Sequence, residues 1–245
     1  MRIVIDIGNS KIAVATVDAD HRVLETRRID RSEPGSVESV VEWCLGCRRG
    51  LRRAAVASVV PSTLHELRDS WNATGIGVEL VALDHRVPRE FASTIVHPET
   101  VGADRWCNVA AAVHAGAREA IIADLGSAHT YDVLEDGVFV GGLIAPGAGT
   151  SHRALVDRGA QLPELPLSDP GVLIGRHTTE AILAGSFHQS GAGIAGVVER
   201  LRASRPAAPV FVTGGLATIF ASYLPPDATF DSGLTLRGAS VLLGN

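Results

Sequence analysis

Asp6-Ile7-Gly8-Asn9-Ser10 and Asp124-Leu125-Gly126-Ser127 each set a carboxylate, a glycine and a hydroxyl close together in the chain. Glycine permits a positive φ and lets a phosphate approach the backbone closely. Successive N–H groups form an anion nest, and the carboxylate can hold Mg²⁺ through water. Two such turns facing each other would grip a triphosphate from both sides. Phosphoryl transfer needs that geometry, because positioned oxygens and neutralised charge supply most of its catalysis. One turn of this kind is equally an ordinary tight turn. Two of them, both ending apolar runs, match the places where α/β sheets form ligand crevices.

A third cluster is Gly102-Ala103-Asp104-Arg105, which opens an Ala-rich segment. Asp104 either caps a helix or accepts the proton of an attacking hydroxyl. Arg105 either pairs with a surface acid or clamps a substrate carboxylate through two hydrogen bonds. Thr213-Gly214-Gly215, directly after Val210-Phe211-Val212, suits a corner under a base or ribose and equally suits plain helix–sheet packing.

The elements that must position these groups occur twice. Arg2 to Ile5 reads as a buried strand into the first acidic turn, Lys11 to Asp18 alternates as a second strand, and Arg22 to Thr26 can form a third. Ala120 to Ala123 again leads into an acidic turn, His129 to Leu134 alternates, and Glu135-Asp136-Gly137 signals a hairpin returning through Val138 to Ile144. A repeat about half a chain long points to duplication of a whole fold unit rather than a solenoid, whose period is about 20 to 50 residues. Each copy continues into mixed material. The first half carries helices at Ser36–Leu45, Thr63–Trp71 (capped by Ser62) and Arg105–Ala115, with strands at Ala54–Val60 and Val78–Leu83. The second half carries helices at Thr179–Leu201, Leu216–Tyr223 and Leu234–Leu243, with a strand at Val210–Val212. Alternation of this kind gives an α/β fold, with halves at 1–117 and 118–245.

Composition excludes several partners. The net charge of −5, from 22 basic and 27 acidic residues, leaves no basic footprint for nucleic acid. Arg48, Arg49, Arg52 and Arg53 read as a solvated helix end. No apolar run approaches the roughly 20 residues of a membrane span, and the chain opens directly on a strand, so the expected location is cytoplasmic. Cys44 and Cys47 have redox or zinc spacing but no second pair or nearby His, so they read as two thiols on an amphipathic segment.

Taken together, these segments resemble type III pantothenate kinase, of the acetate/sugar kinase, Hsp70 and actin superfamily. The resemblance runs through Asp6 to Ser10, Ser58-Val59-Val60-Pro61, Gly102 to Arg105 with Asn108 and Ala110-Ala111, and Asp124 to Asp132. It continues through Gly141 to Gly147, Leu162-Pro163, Ile174 to Thr178, Thr213 to Ala217 and Leu234 to Gly238. It implies two duplicated ribonuclease H-like (actin-like) half-domains with mixed sheets and an interdomain cleft. It also implies ATP-dependent phosphorylation of pantothenate at its primary hydroxyl, the first step of coenzyme A biosynthesis. Asp6, Ile7, Gly8, Asn9, Ser10, Lys11, Ile12 and Ala13 would form the first phosphate loop, with Asp6 near Mg²⁺. Asp104 would be the general base, and Gly102, Ala103, Asp104 and Arg105 would line the pantothenate site. Asp124 would hold K⁺ or NH₄⁺, Ser127 would contact ATP, and Thr178 would contact pantothenate in a homodimer whose pocket is completed across the subunit interface.

This chain departs from the family pattern in places. Ser10 and Ser127 stand where Thr is usual, and both keep the hydroxyl. His129 replaces a Thr in the second loop, where it is expected to crowd the nucleotide, donate to a phosphate or sit neutral at the surface. Ile95-Val96-His97-Pro98 lacks the Tyr that often precedes this Pro. Rival readings are a kinase of another small hydroxy acid, an idle nucleotide-binding homologue with a regulatory or accessory role, and an actin-like filament.

Overall fold

The computed structural model describes residues 1–47, 50–158 and 166–244. Arg48, Arg49 and the Leu162-Pro163 motif lie outside the described residues. Contacts divide the chain into two compact units. One comprises Met1–Arg118, Gly137–Phe139 and Gly233–Asn245, and the other comprises Glu119–Asp136 and Val140–Ser232. The closing helix therefore belongs with the first unit, a return that a division by sequence position leaves out.

In the first unit, β1 (Arg2–Ile7), β2 (Lys11–Val17), β3 (Val23–Asp30), β4 (Arg53–Ser58) and β5 (Glu79–Ala82) form a sheet ordered β3-β2-β1-β4-β5. β1 is antiparallel to β2 and parallel to β4. The period of two sends Ile3, Ile5 and Ile7 to one face. There they join Val40 and Cys44 of α1 (Ser36–Cys47) and Leu67 and Trp71 of α2 (Pro61–Ala73) in a buried core. Val4 and Asp6 point to the other face, against which α6 (Leu234–Leu243) and α3 (Ala103–His114) pack. Cys44 and Cys47 are free thiols on α1, and burial pushes Cys44 up to about 12.

In the second unit, β7 (Ala120–Leu125), β8 (Ala128–Glu135), β9 (Val138–Pro146), β10 (Val210–Thr213) and β11 (Thr229–Phe230) run in the order β11-β10-β7-β8-β9. A short β6 (Ala92–Ser93) pairs with Val138 and Phe139, the start of β9, and all four residues belong to the first unit. β7 is antiparallel to β8 and parallel to β10, the same relations that β1 has to β2 and β4. The duplicated sequence pattern is thus a duplicated sheet order. The β8–β9 hairpin turns at Asp136 (φ 51°) and Gly137 (φ 79°), the positive pair that a tight hairpin requires. α5 (Thr178–Ala203) buries Ala184, Phe187, Gly191, Ile194 and Val198, a spacing of three and four that lays one stripe on the sheet.

Two local expectations are corrected. Pro61, not Ser62, governs the start of α2: Val60 is the N-cap without a side-chain bond and Pro61 is the first helical residue. Its fixed φ and missing N–H suit that position. Leu216 to Tyr223 is not an α-helix but a series of turns ending in a 3₁₀ turn at Ala221–Tyr223. The Leu125 carbonyl takes the Leu216 N–H at 2.9 Å, so a distant strand end draws in the first turn of the segment. Among the described residues, no helix is long and apolar enough to cross a membrane.

Candidate active site

Asp6 is the penultimate residue of β1, paired with Ala13 on one side and Ala57 on the other. The Gly8 N–H donates to the Lys11 carbonyl at 2.9 Å, closing a turn that exposes Asn9, Ser10 and Lys11 while Ile7 and Ile12 stay buried. Arg31 braces the turn: its Nε donates to the Asn9 carbonyl at 2.8 Å and its N–H to the Ser10 carbonyl at 2.9 Å. Neither Gly8 nor Gly126 adopts a positive φ, so the expected reason for glycine there is corrected. Close backbone approach is the property that remains.

The end of β1 meets the start of α3 in the same unit. The Val59 N–H donates to the Ile7 carbonyl at 3.1 Å, and a Cβ on Gly102 would lie 3.0 Å from Val59 Cγ1. Gly102 is the N-cap of α3, which puts Asp104 and Arg105 in its first turn. The role of N-cap therefore falls to Gly102, and Asp104 Oδ1 instead accepts the Arg105 N–H at 2.8 Å. Burial raises the Asp104 carboxyl above its usual range, opposed by that N–H and by the Arg105 charge. Cys107, one turn on, is fully buried, and the fields of Asp6 and Asp104 add to the burial that drives its thiol up. Arg105 is half-buried with its guanidinium 5.7 Å from the centre of the Phe139 ring.

α3 is held by features with no chemical signature in the sequence. Thr235 Oγ1 donates to Oδ1 of the fully buried Asn108 at 2.8 Å. A Cβ on Gly238 would lie 1.7 Å from the Cys107 carbonyl oxygen, so only glycine lets α6 cross α3 at this distance. The Thr235 and Gly238 positions that looked like family markers thus fix the helix carrying Asp104.

Asp124 repeats the placement of Asp6 in the second unit. It is penultimate in β7, between Thr130 of β8 and Thr213 of β10. Its turn is tighter, with the Gly126 N–H donating to the Ala128 carbonyl at 3.1 Å. The shortening decides the fate of His129. Leu125 pairs with His129 as Ile7 pairs with Ile12, so His129 takes the inward position of a buried isoleucine. It is 4% exposed, its Nε2 accepts the Ala148 N–H at 3.2 Å, and burial lowers it to about 4. The expectation of a surface or phosphate-crowding histidine is therefore corrected to a neutral, buried one.

That bond sets α4 (Ala148–Arg158) on the acidic turn. Gly147 donates its N–H to the Ser127 carbonyl at 3.1 Å, and Thr150 Oγ1 donates to the same oxygen at 2.7 Å. A Cβ on Gly147 would lie 2.3 Å from the Gly126 carbonyl. Gly214 (φ 93°) packs directly on this strand end, since its Cβ would lie 2.5 Å from the Leu125 backbone and 2.6 Å from Asp124 Oδ1. Thr178 is exposed at the start of α5 and lines a cavity of about 850 Å³ together with His129, Tyr131, Ser151, Ile182 and Ser186.

The sequence profile described as "Type III pantothenate kinase" matches residues 2–200. A type III pantothenate kinase of Thermomicrobium roseum is 34% identical over 250 residues, covering 97% of this chain and 95% of its own. One from Zymomonas mobilis is also 34% identical, covering 99% and 92% respectively. The chain belongs to the type III pantothenate kinase family. Family membership makes it a kinase. A ROK family glucokinase of Streptomyces griseus, solved in complex with glucose and AMPPNP, superposes with a TM-score of 0.56 at 15% identity, covering 98% of each chain. The activator of 2-hydroxyisocaproyl-CoA dehydratase of Clostridium difficile, solved with ADPNP, gives 0.57 at 12% identity, covering 98% and 92%. At these identities the likeness concerns the fold alone, and it places the chain in the α/β class of sugar kinases and their ATPase relatives.

Proposed function

We propose that this member of the type III pantothenate kinase family transfers the γ-phosphoryl group of ATP to the primary hydroxyl of pantothenate, the entry step to coenzyme A. One observation carries the assignment of roles. A half-buried carboxyl, Asp104, is fixed in the first turn of α3, close to Arg105, where the start of that helix meets the end of the strand carrying Asp6. Asp104 accepts the hydroxyl proton as the alcohol attacks. Arg105 takes the acceptor carboxylate through its planar fork of donors. Gly102 and Ala103 line the acceptor. The turn from Asp6 to Ala13 and Ser127 hold the nucleotide phosphates through backbone N–H and hydroxyl groups.

Asp6 suits Mg²⁺ and Asp124 suits K⁺ or NH₄⁺. The reading of Asp124 is supported by its place one residue from the end of β7, the position that Asp6 holds in β1. These ions supply charge neutralisation when bound; the protein's own part is to orient oxygens toward them. A homodimer with Thr178 facing the acceptor belongs to the same reading, and Thr178 is exposed at the start of α5. The location is assigned to the cytoplasm.

A coupled assay of ADP release tests the reading. Turnover is expected with pantothenate in the presence of ATP, Mg²⁺ and K⁺. Turnover confined to other hydroxy acids would give the chain a different acceptor, and nucleotide binding without turnover on any acceptor would make it an idle homologue.

A further inference from the structure

The segment Val172–His177 leads into Thr178 and cannot be held by apolar burial, because Leu173 is 74% and Ile174 79% exposed. Its conformation rests instead on three local devices. His177 Nδ1 accepts the Glu180 N–H while Glu180 Oε2 accepts the Arg176 N–H at 2.7 Å, a reciprocal cap at the start of α5. Gly175 lies against the helix so closely that a Cβ would be 2.2 Å from the Ala181 nitrogen. At the far end, His188 Nε2 lies 2.9 Å from the Val172 carbonyl. A carbonyl only accepts, so Nε2 carries a proton and donates it to Val172, while Nδ1 on the other side of the ring meets the Tyr223 hydroxyl. Tyr223 in turn cannot shift toward α5, since its ring fills the space that a Cβ on Gly191 would occupy, 2.4 Å from Cε2.

We propose that His188 is a positioning residue for acceptor binding: through the Val172 carbonyl it holds the arm that delivers Thr178, and Tyr223 fixes its ring and tautomer. The proposal deepens the reading of Thr178 as an acceptor contact and rests on it. The ring itself touches no reactant. Loss of the tether weakens ground-state and transition-state binding of the acceptor alike, which raises its KM and leaves kcat and the KM for ATP unchanged.

Two near-isosteric variants separate this from a merely structural role. His188→Gln keeps an N–H at the position of Nε2 and so keeps the bond to Val172. His188→Asn places its amide at the position of Nδ1, keeping an acceptor for Tyr223 but losing Val172. His188→Asn is expected to raise the pantothenate KM about tenfold, with kcat within about twofold of wild type, while His188→Gln stays near wild type. Amide hydrogen exchange of residues 172–177 is expected to quicken in His188→Asn and not in His188→Gln. Equal KM in both variants and wild type, or a KM rise that follows the loss of thermal stability in both, would overturn the proposal. If the wild-type chain does not phosphorylate pantothenate, the functional reading fails separately. Unchanged hydrogen exchange in His188→Asn would then overturn the tether itself.

Discussion

Gly238 of α6 and Cys107 of α3 meet backbone to backbone, with no room for a single methyl group between them. The contact joins the helix closing the chain to the helix whose first turn carries Asp104. Gly238→Ala is therefore expected to destabilise the protein at the upper end of the roughly 1–3 kcal/mol typical of overpacking. Urea unfolding measures it, and a variant as stable as wild type would mean that the helices separate freely.

Asp104→Asn is expected to bind ATP nearly as wild type does while turnover falls about 10²-fold or more, the scale of general-base catalysis. Single-turnover kinetics with parallel nucleotide binding would show it. An active Asp104→Asn enzyme would remove the assignment.

The same carboxyl sets a pH dependence. Burial raises it, and only the ionised form accepts a proton. The acid limb of kcat/KM is thus expected above the usual aspartate value of about 3.9, with activity falling as pH drops through it. A limb at or below that value would place the controlling group elsewhere.

His129 gives a stability signature of the opposite kind of group. Its folded value of about 4 lies below the unfolded histidine value, so the unfolded chain binds the extra proton first. Its contribution is complete above about pH 6.5 and is lost as pH falls toward the folded value. Between pH 7 and pH 5 the loss is about 2 kcal/mol by linkage. Unfolding free energies of wild type and His129→Gln at the two pH values should differ by that order, and parallel profiles would count against a buried neutral ring.

Exchange of K⁺ for Na⁺ at constant ionic strength is expected to lower the rate, because the cation proposed at Asp124 should be of one size. Equal rates in both salts would leave Asp124 without that role.

Much of this was written in local pattern. The runs Arg2–Ile5 and Ala120–Ala123, the two acidic turns and the Asp136-Gly137 hairpin could be read directly, since strand alternation and turn dihedrals are set by neighbouring residues. His129 could not. Aligned by motif it belongs to the second loop, but a turn shorter than that of Gly8–Lys11 moves it into strand register opposite Leu125, facing inward. The helix expected at Leu216–Tyr223 is instead a run of tighter turns, with the Ile219 N–H on the Leu216 carbonyl and the Tyr223 N–H on the Phe220 carbonyl, a choice that apolar spacing does not reveal.

The chain alone determined a duplicated strand, acidic turn and hairpin, and the order of the carboxylates proposed for the chemistry, because these follow from the types and spacing of adjacent residues. Tertiary structure decided which of those side chains are buried, how α3 is held, and that the last helix returns to the first unit. These depend on where distant backbone arrives, and a glycine such as Gly238 shows its purpose only when the neighbour that forbids a side chain is in place.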